Sequence, residues 1–199
     1  MQLLDPQPIA TTADILLHHV SWEKYEALLG IFGDDYPGLR LNYLDGQLEI
    51  MTTSDDHEQI KKMIARLLEL YALEKGIDLY SCGSATFRQK ATQRGLEPDE
   101  SYCINSRKPF PDLAIEVIIT SGLVNRIDIY RGLGIPEIWI WQNNQLTIQT
   151  FNPTKATYES TSKSQFFPDL DPAIFVEYLD PTQEPQRIRA FRDHIRAEQ

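Results

Sequence analysis

Two carboxylates in this chain stand where a charge is costly. Glu116 lies in the middle of residues 111–120, a short run of β-branched and large apolar residues bounded by Pro111 and by Ser121–Gly122, which reads as a buried strand. Alternation splits that strand into Leu113, Ile115, Val117 and Ile119 on one face and Asp112, Ala114, Glu116 and Ile118 on the other. Burying a charge costs several kcal/mol unless it is paired, metal-bound or protonated, so Glu116 asks for a partner. Asp112, four residues away on the same strand, sits about 13 Å off at ~3.3 Å per residue, too far for one ion with ligands at about 2.0–2.6 Å. The partner must come from a neighbouring strand. Upstream, residues 97–104 followed by the polar stretch 105–109 read as the first arm of a hairpin. With symmetry about Arg107–Lys108, Ile104 faces Pro111, Cys103 faces Asp112 and Asp99 faces Glu116. Opposed residues have Cβ atoms about 4.5–5.5 Å apart, a spacing at which two carboxylates hold one divalent cation.

The Pro98–Asp99 pair, a loop and a strand carrying Glu116 resemble the PD-(D/E)XK nuclease superfamily and, more narrowly, its Uma-type family of restriction endonucleases. The resemblance runs from about residue 39 to 151. It is carried by YLDGQLEIM (43–51), the His57–Glu58 pair opening a helix, GLEPDESY (95–102), PDLAIEV (111–117) and IYRGLGIPEIWIW (129–141). It implies an α/β fold with a restriction-endonuclease-like core, a central mixed β-sheet flanked by helices. It also implies Mg²⁺- or Mn²⁺-dependent hydrolysis of DNA phosphodiester bonds. Asp99 and Glu116, with the carbonyl of Val117, are then the metal residues. The superfamily pattern places a lysine two residues after the glutamate, where this chain has Ile118; in the Uma-type family the lysine sits in the following helix, at the position of Arg126. Arginine keeps a positive charge for a phosphate but stays protonated, so it cannot act as a neutral amine base. The alternative function is therefore a nuclease-fold protein that binds nucleic acid or a protein partner without cutting. The first core helix of the fold often brings a carboxylate to the metal, which makes Glu58 a candidate and His57 its hydrogen-bonding neighbour; otherwise the two form a solvated capping pair. Asp112 is kept as a supporting acid.

The elements that position these residues follow from the pattern. Residues 1–20 read as an extended lead-in, and Ser21 caps a short helix to about Leu29. Residues 39–51 form a hairpin turning at Asp45–Gly46, with Asn42 opposite Glu49 and Tyr43 opposite Leu48; Glu49 reads as an exposed or strand-paired charge, with a site carboxylate as the alternative. Residues 54–75 are the clearest helix, capped by Ser54 or Asp55, stopped by Gly76 and striped with Ile60, Met63, Ile64, Leu67, Leu68 and Tyr71. Strand pieces follow at 77–84 and 85–90. Arg88 and Lys90 share one side of the second, either steering a polyanion or facing solvent. Gln93, Arg94 and Gly95 read as the turn into the Asp99 strand. Ser121 caps a helix over 123–133 that ends at Gly134 and carries Arg126. A hairpin follows over 137–142 and 145–151 around Asn143–Asn144. Its first strand carries Trp139 and Trp141 on one face and Ile138 and Ile140 on the other, so it is either central in a sheet or buried in a subunit interface, and a homodimer is expected. Residues 152–172 are polar and turn-rich. Helices over 172–179 and 185–197 close the chain, the last a basic amphipathic one that either packs on the domain with Arg187, Arg189, Arg192 and Arg196 solvated or lies along a phosphate backbone.

With 199 residues and 42% hydrophobic content, the chain is read as one domain. No apolar run approaches the ~18 residues of a membrane span, and the first residues lack a basic segment leading into an apolar one, so a cytoplasmic protein is expected. Cys82 and Cys103 lack metal spacing and are read as small packing residues. A net charge of −10 excludes a general nucleic-acid coat, since phosphate neutralisation supplies most non-specific affinity. DNA binding here would rest on local positive charge or a metal.

Overall fold

A computed structural model describes residues 14–32, 36, 38–119 and 122–198. The expectations placed on residues 1–13, on Thr120 and on Ser121 lie outside these. The organising strand is β8 (Leu113–Ile118), where β-branched residues suit a pleated, buried environment. It pairs antiparallel with β7 (Glu100–Ile104) and parallel with β9 (Glu137–Gln142). The β7–β8 register sets Tyr102 against Leu113, Ser101 against Ala114 and Glu100 against Ile115, the pairing expected from a hairpin symmetric about Arg107–Lys108. The β9–β10 hairpin (β10, Gln145–Asn152) turns through Asn143 and Asn144, both in the left-handed region. β11 (Thr157–Thr161) and β4 (Leu79–Ser81) form the two edges of a six-stranded sheet in the order β11-β10-β9-β8-β7-β4.

A second sheet holds β1 (Ile15–Leu17), β3 (Gln47–Thr52), β2 (Leu39–Leu44), β6 (Arg94–Leu96) and β5 (Phe87–Gln89), in that order and antiparallel throughout. The central mixed sheet expected from the sequence is the six-stranded one, and the antiparallel sheet is an addition to it. Part of the presumed lead-in pairs with β3 as β1, the presumed turn at Arg94–Gly95 is β6, and the turn-rich stretch after Asn152 contains β11. The β2–β3 hairpin has the expected register, Asn42 opposite Glu49 and Tyr43 opposite Leu48. Gly95 is glycine for a steric reason: a Cβ there would lie 2.8 Å from ring carbons of buried Tyr25, on α1 (Trp22–Phe32), which covers this sheet.

The helices fill the layers between and outside the sheets. α2 (Asp55–Lys75) starts where the Ser54 hydroxyl accepts the His57 N–H and stops at Gly76, whose φ of 67° suits a residue without a side chain. Its apolar stripe and Phe191 and Ile195 of α5 (Glu184–Ala197) pack with Leu113, Ile115 and Val117 on one face of β8. Full burial of such side chains contributes about 1.5–3 kcal/mol each. Arg196 of α5 pairs with Glu74 of α2 at 2.8 Å, so that helix is docked on the fold. α3 (Arg126–Leu133) links the parallel strands β8 and β9 and packs on the other face, with Ile129, Tyr130 and Leu133 against Ala114 and Ile138 of the mixed sheet and Leu96 of the second. Its cap is Asn125, whose side chain accepts the Asp128 N–H. α4 (Pro172–Glu177) sets Phe175 edge-on to Trp139. Both tryptophans of β9 are buried within the chain, since β9 is central; its two apolar faces need no second subunit.

Candidate active site

The ends of β8, β3, α2 and α3 converge on a cavity of about 180 Å³ lined by, among others, Met51, Ser54, His57, Glu116, Arg126 and Tyr130. The β7–β8 ladder stops at Glu100 and Ile115, one step short of Asp99 and Glu116. Pro98 lacks an N–H and turns the chain out of the sheet, and the Asp99 side chain takes over as acceptor: its Oδ2 receives the Val117 N–H at 2.7 Å. The same oxygen lies 3.1 Å from His57 Nε2. Asp99 and Glu116 are both buried, at 3% exposure each, and the Asp99 charge bears directly on Glu116.

Glu116 is held by α3. Its Oε2 is 2.5 Å from an Arg126 guanidinium nitrogen, and its Oε1 accepts the Tyr130 hydroxyl. Arg126 and Tyr130 are four residues apart and so share one helix face. Burial pushes the Glu116 carboxyl up from its ordinary value, reinforced by Asp99 and opposed by Arg126 and Tyr130. Burial works against the Arg126 cation, but Glu116, Asp99 and Glu49 outweigh it and keep the guanidinium firmly protonated. Burial also disfavours the His57 imidazolium; Asp99 and Glu58 more than offset this and hold its pKa above the usual histidine value.

Glu49, expected as an exposed or strand-paired charge or else as a site carboxylate, is strand-paired and lies beside Arg126. It is fully buried, takes the Asn42 amide at 2.8 Å, accepts the Leu123 N–H, and lies 3.9 Å from Arg126. Three carboxylates from separate strand segments therefore surround one guanidinium. Tyr130 was missed, although its i, i+4 spacing from Arg126 in the sequence was a usable signal. Glu58 stands at the margin, 2.5 Å from Lys61 and 3.4 Å from His57 Nδ1.

Three of the expected residues do not join. Asp112 sits at the far end of β8, where its Oδ2 accepts the Ile104 N–H at 2.8 Å and pairs with Lys108 at 2.6 Å; it fastens the hairpin loop. Arg88 lies on β5 of the second sheet and Lys90 in the turn just after it, both beside α1, 3.4 Å from Glu26 and 2.9 Å from Glu23 and away from the cavity. Glu137, a conceivable partner for Arg126, is occupied elsewhere, by the Trp139 indole, the Ser164 hydroxyl and the Gln165 N–H.

The donor chemistry suits a hard divalent cation, since Asp99 and Glu116 offer carboxylate oxygens. Their present arrangement suits the guanidinium, and among the described residues no group of three or more His, Cys, Asp or Glu side chains is placed to hold a metal ion. Among the described residues, too, no helix is long and apolar enough to cross a membrane.

A search of curated proteins returns no match. The model of the family Uma2, described as "putative restriction endonuclease", matches residues 22–175. With the buried Asp99–Glu116 pair beside it, that match over most of the length places the chain in the Uma2 family of nuclease-like proteins.

Proposed function

We propose that this protein is a Mg²⁺- or Mn²⁺-dependent endonuclease that hydrolyses phosphodiester bonds in DNA. The observation that carries the reading is the pair of buried carboxylates, Glu116 on β8 and Asp99 just before β7, whose charges bear on one another and are balanced by Arg126. Asp99, Glu116 and the Val117 carbonyl would hold the cation. When bound, such an ion lowers the pKa of a coordinated water and offsets charge on the scissile phosphate. Arg126 has a second use. A guanidinium binds a phosphate as readily as a carboxylate, so Arg126 exchanges Glu116 for the phosphate backbone and stabilises the negative charge that builds up there. His57 holds Asp99 from the helix side, and Tyr130 fixes the Glu116 carboxylate, so both acids are oriented before substrate arrives. Cutting both strands of a duplex calls for two such sites, and a homodimer is the simplest way to supply them.

One observation favours a second reading, a protein that binds without cutting: both oxygens of Glu116 are already engaged, by Arg126 and Tyr130, and arginine gives up no proton. Plasmid nicking in Mg²⁺ and in Mn²⁺ separates the two. Cleavage by the wild type, retained within about tenfold in Arg126→Lys, supports the nuclease. Cleavage that appears only in Arg126→Lys supports the binding protein, because the lysine amine restores what the arginine withholds.

A further inference from the structure

Outside the site, the two cysteines are the strongest unused feature. Their Sγ atoms lie 3.5 Å apart. Cys82 directly follows the edge strand β4, and Cys103 is in β7 beside it. The register sets Tyr80 against Cys103 and Ser81 against Tyr102, so Cys82 and Cys103 are diagonal neighbours on one face. The Cys82 N–H donates to the Ser101 carbonyl at 2.9 Å, which ties this segment to β7. Cys82 is half-buried at the sheet edge and Cys103 is fully buried behind it. Both are thiols.

We propose that Cys82 and Cys103 form a reversible intrachain disulfide by exchange with a low-molecular-weight disulfide such as oxidised glutathione. Cys82, the accessible thiol, attacks one sulfur of the small disulfide as its thiolate. One glutathione thiolate leaves and takes up the proton, and a mixed disulfide remains on Cys82. Cys103 loses its proton, attacks the Cys82 sulfur and releases the second glutathione as thiol. Two electrons and two protons pass from the cysteines to the small disulfide. The sulfurs must close from 3.5 Å to about 2.05 Å. The segment can follow, because β4 has ended and Gly83 comes next at φ 60°. Burial and the neighbouring thiol push Cys82 up to about 11, with Arg107 opposing, so exchange at neutral pH is slow, minutes to hours.

The bond closes residues 82–103 into one loop that holds β5, β6 and Asp99. This is the chain's excursion out of the mixed sheet, through the second sheet and back. Oxidation therefore ties the start and the end of that excursion to each other within the mixed sheet, across β4 and β7.

The test incubates the full chain in glutathione redox buffers under argon, quenches with acid, alkylates after unfolding and weighs the product. Under oxidising conditions the wild type is expected to take no alkyl group, to weigh about 2 Da less, to yield a 82–103 cross-linked peptide and to revert with dithiothreitol. Its Tm is expected to rise by roughly 5–10 °C, as closing a loop of about this length does. Cys82→Ser, a change at a half-exposed position, should keep one free or glutathione-capped thiol and show no gain in Tm; Cys103→Ala gives the same answer from the buried side. A wild type that keeps two alkylatable thiols at every ratio, or that stops at the glutathione adduct, overturns the proposal.

Discussion

Glu116→Gln is expected to lower metal-dependent plasmid nicking by at least about 10²-fold, the loss typical of removing one charged group that acts on the transition state. Glutamine matches the shape of glutamate and can still accept the Tyr130 hydroxyl, so the change isolates the charge. It also leaves the Arg126 guanidinium, only 16% exposed, without its nearest anion. Breaking a buried ion pair costs about 3–5 kcal/mol. The lower end, about 3 kcal/mol, applies because Asp99 and Glu49 still face the guanidinium, and Tm should fall by roughly 6–12 °C. Nicking is therefore compared per folded molecule, well below the mutant's melting temperature. Activity within a few-fold of wild type under those conditions would remove Glu116 from the chemistry.

Glu137→Ala is expected to be the most destabilising single change that leaves the site alone. Glu137 is fully buried at the start of β9, and its donors are all neutral: the Trp139 indole at 2.7 Å, the Ser164 hydroxyl at 2.6 Å and the Gln165 N–H at 2.9 Å. Truncation leaves two buried donors and the partly buried Gln165 N–H unpaired; at about 1–3 kcal/mol for each, the loss is about 3–9 kcal/mol in all. It also frees the 164–167 turn that sets Phe167 edge-on to Trp139. Thermal melting should show Tm down by at least about 6 °C, with nicking per folded molecule unchanged, because Ile140, not Glu137, is the β9 residue beside Glu116. A Tm within 2 °C of wild type would mean that water replaces the carboxylate without cost.

What the sequence made legible was local. The β7–β8 register could be read to the residue because loop symmetry and a period of two determine it together, and the same holds for Asn42 against Glu49. The cap and stop of α2 follow from Ser54 and Gly76, whose chemistry is one residue deep. What stayed hidden depends on packing between distant segments. Glu49 was paired correctly with Asn42, but whether it is exposed or buried stayed open, because its burial comes from the Leu123 segment and α3 lying over β3, which alternation along one strand cannot register. β6 was missed for a related reason: Arg94, Gly95 and Leu96 have little strand propensity and are a strand because the edges of β2 and β5 need a partner, whereas β11, although Thr157, Tyr158 and Thr161 favour strands, stands in a stretch whose prolines and polar residues read as turns. Trp139 and Trp141 allowed either a central strand or an interface, and only the sheet order decides for the former.

The central claim is that Asp99 and Glu116 share one cation pocket, held by Arg126 until a phosphate draws it away. The most direct test is anomalous diffraction from crystals grown with Mn²⁺ and a short DNA duplex made uncleavable by phosphorothioate linkages. One manganese peak touching Asp99 and Glu116 is expected, with the Arg126 guanidinium moved onto a phosphate. A map with DNA bound, no manganese at these residues and Arg126 still on Glu116 would contradict it.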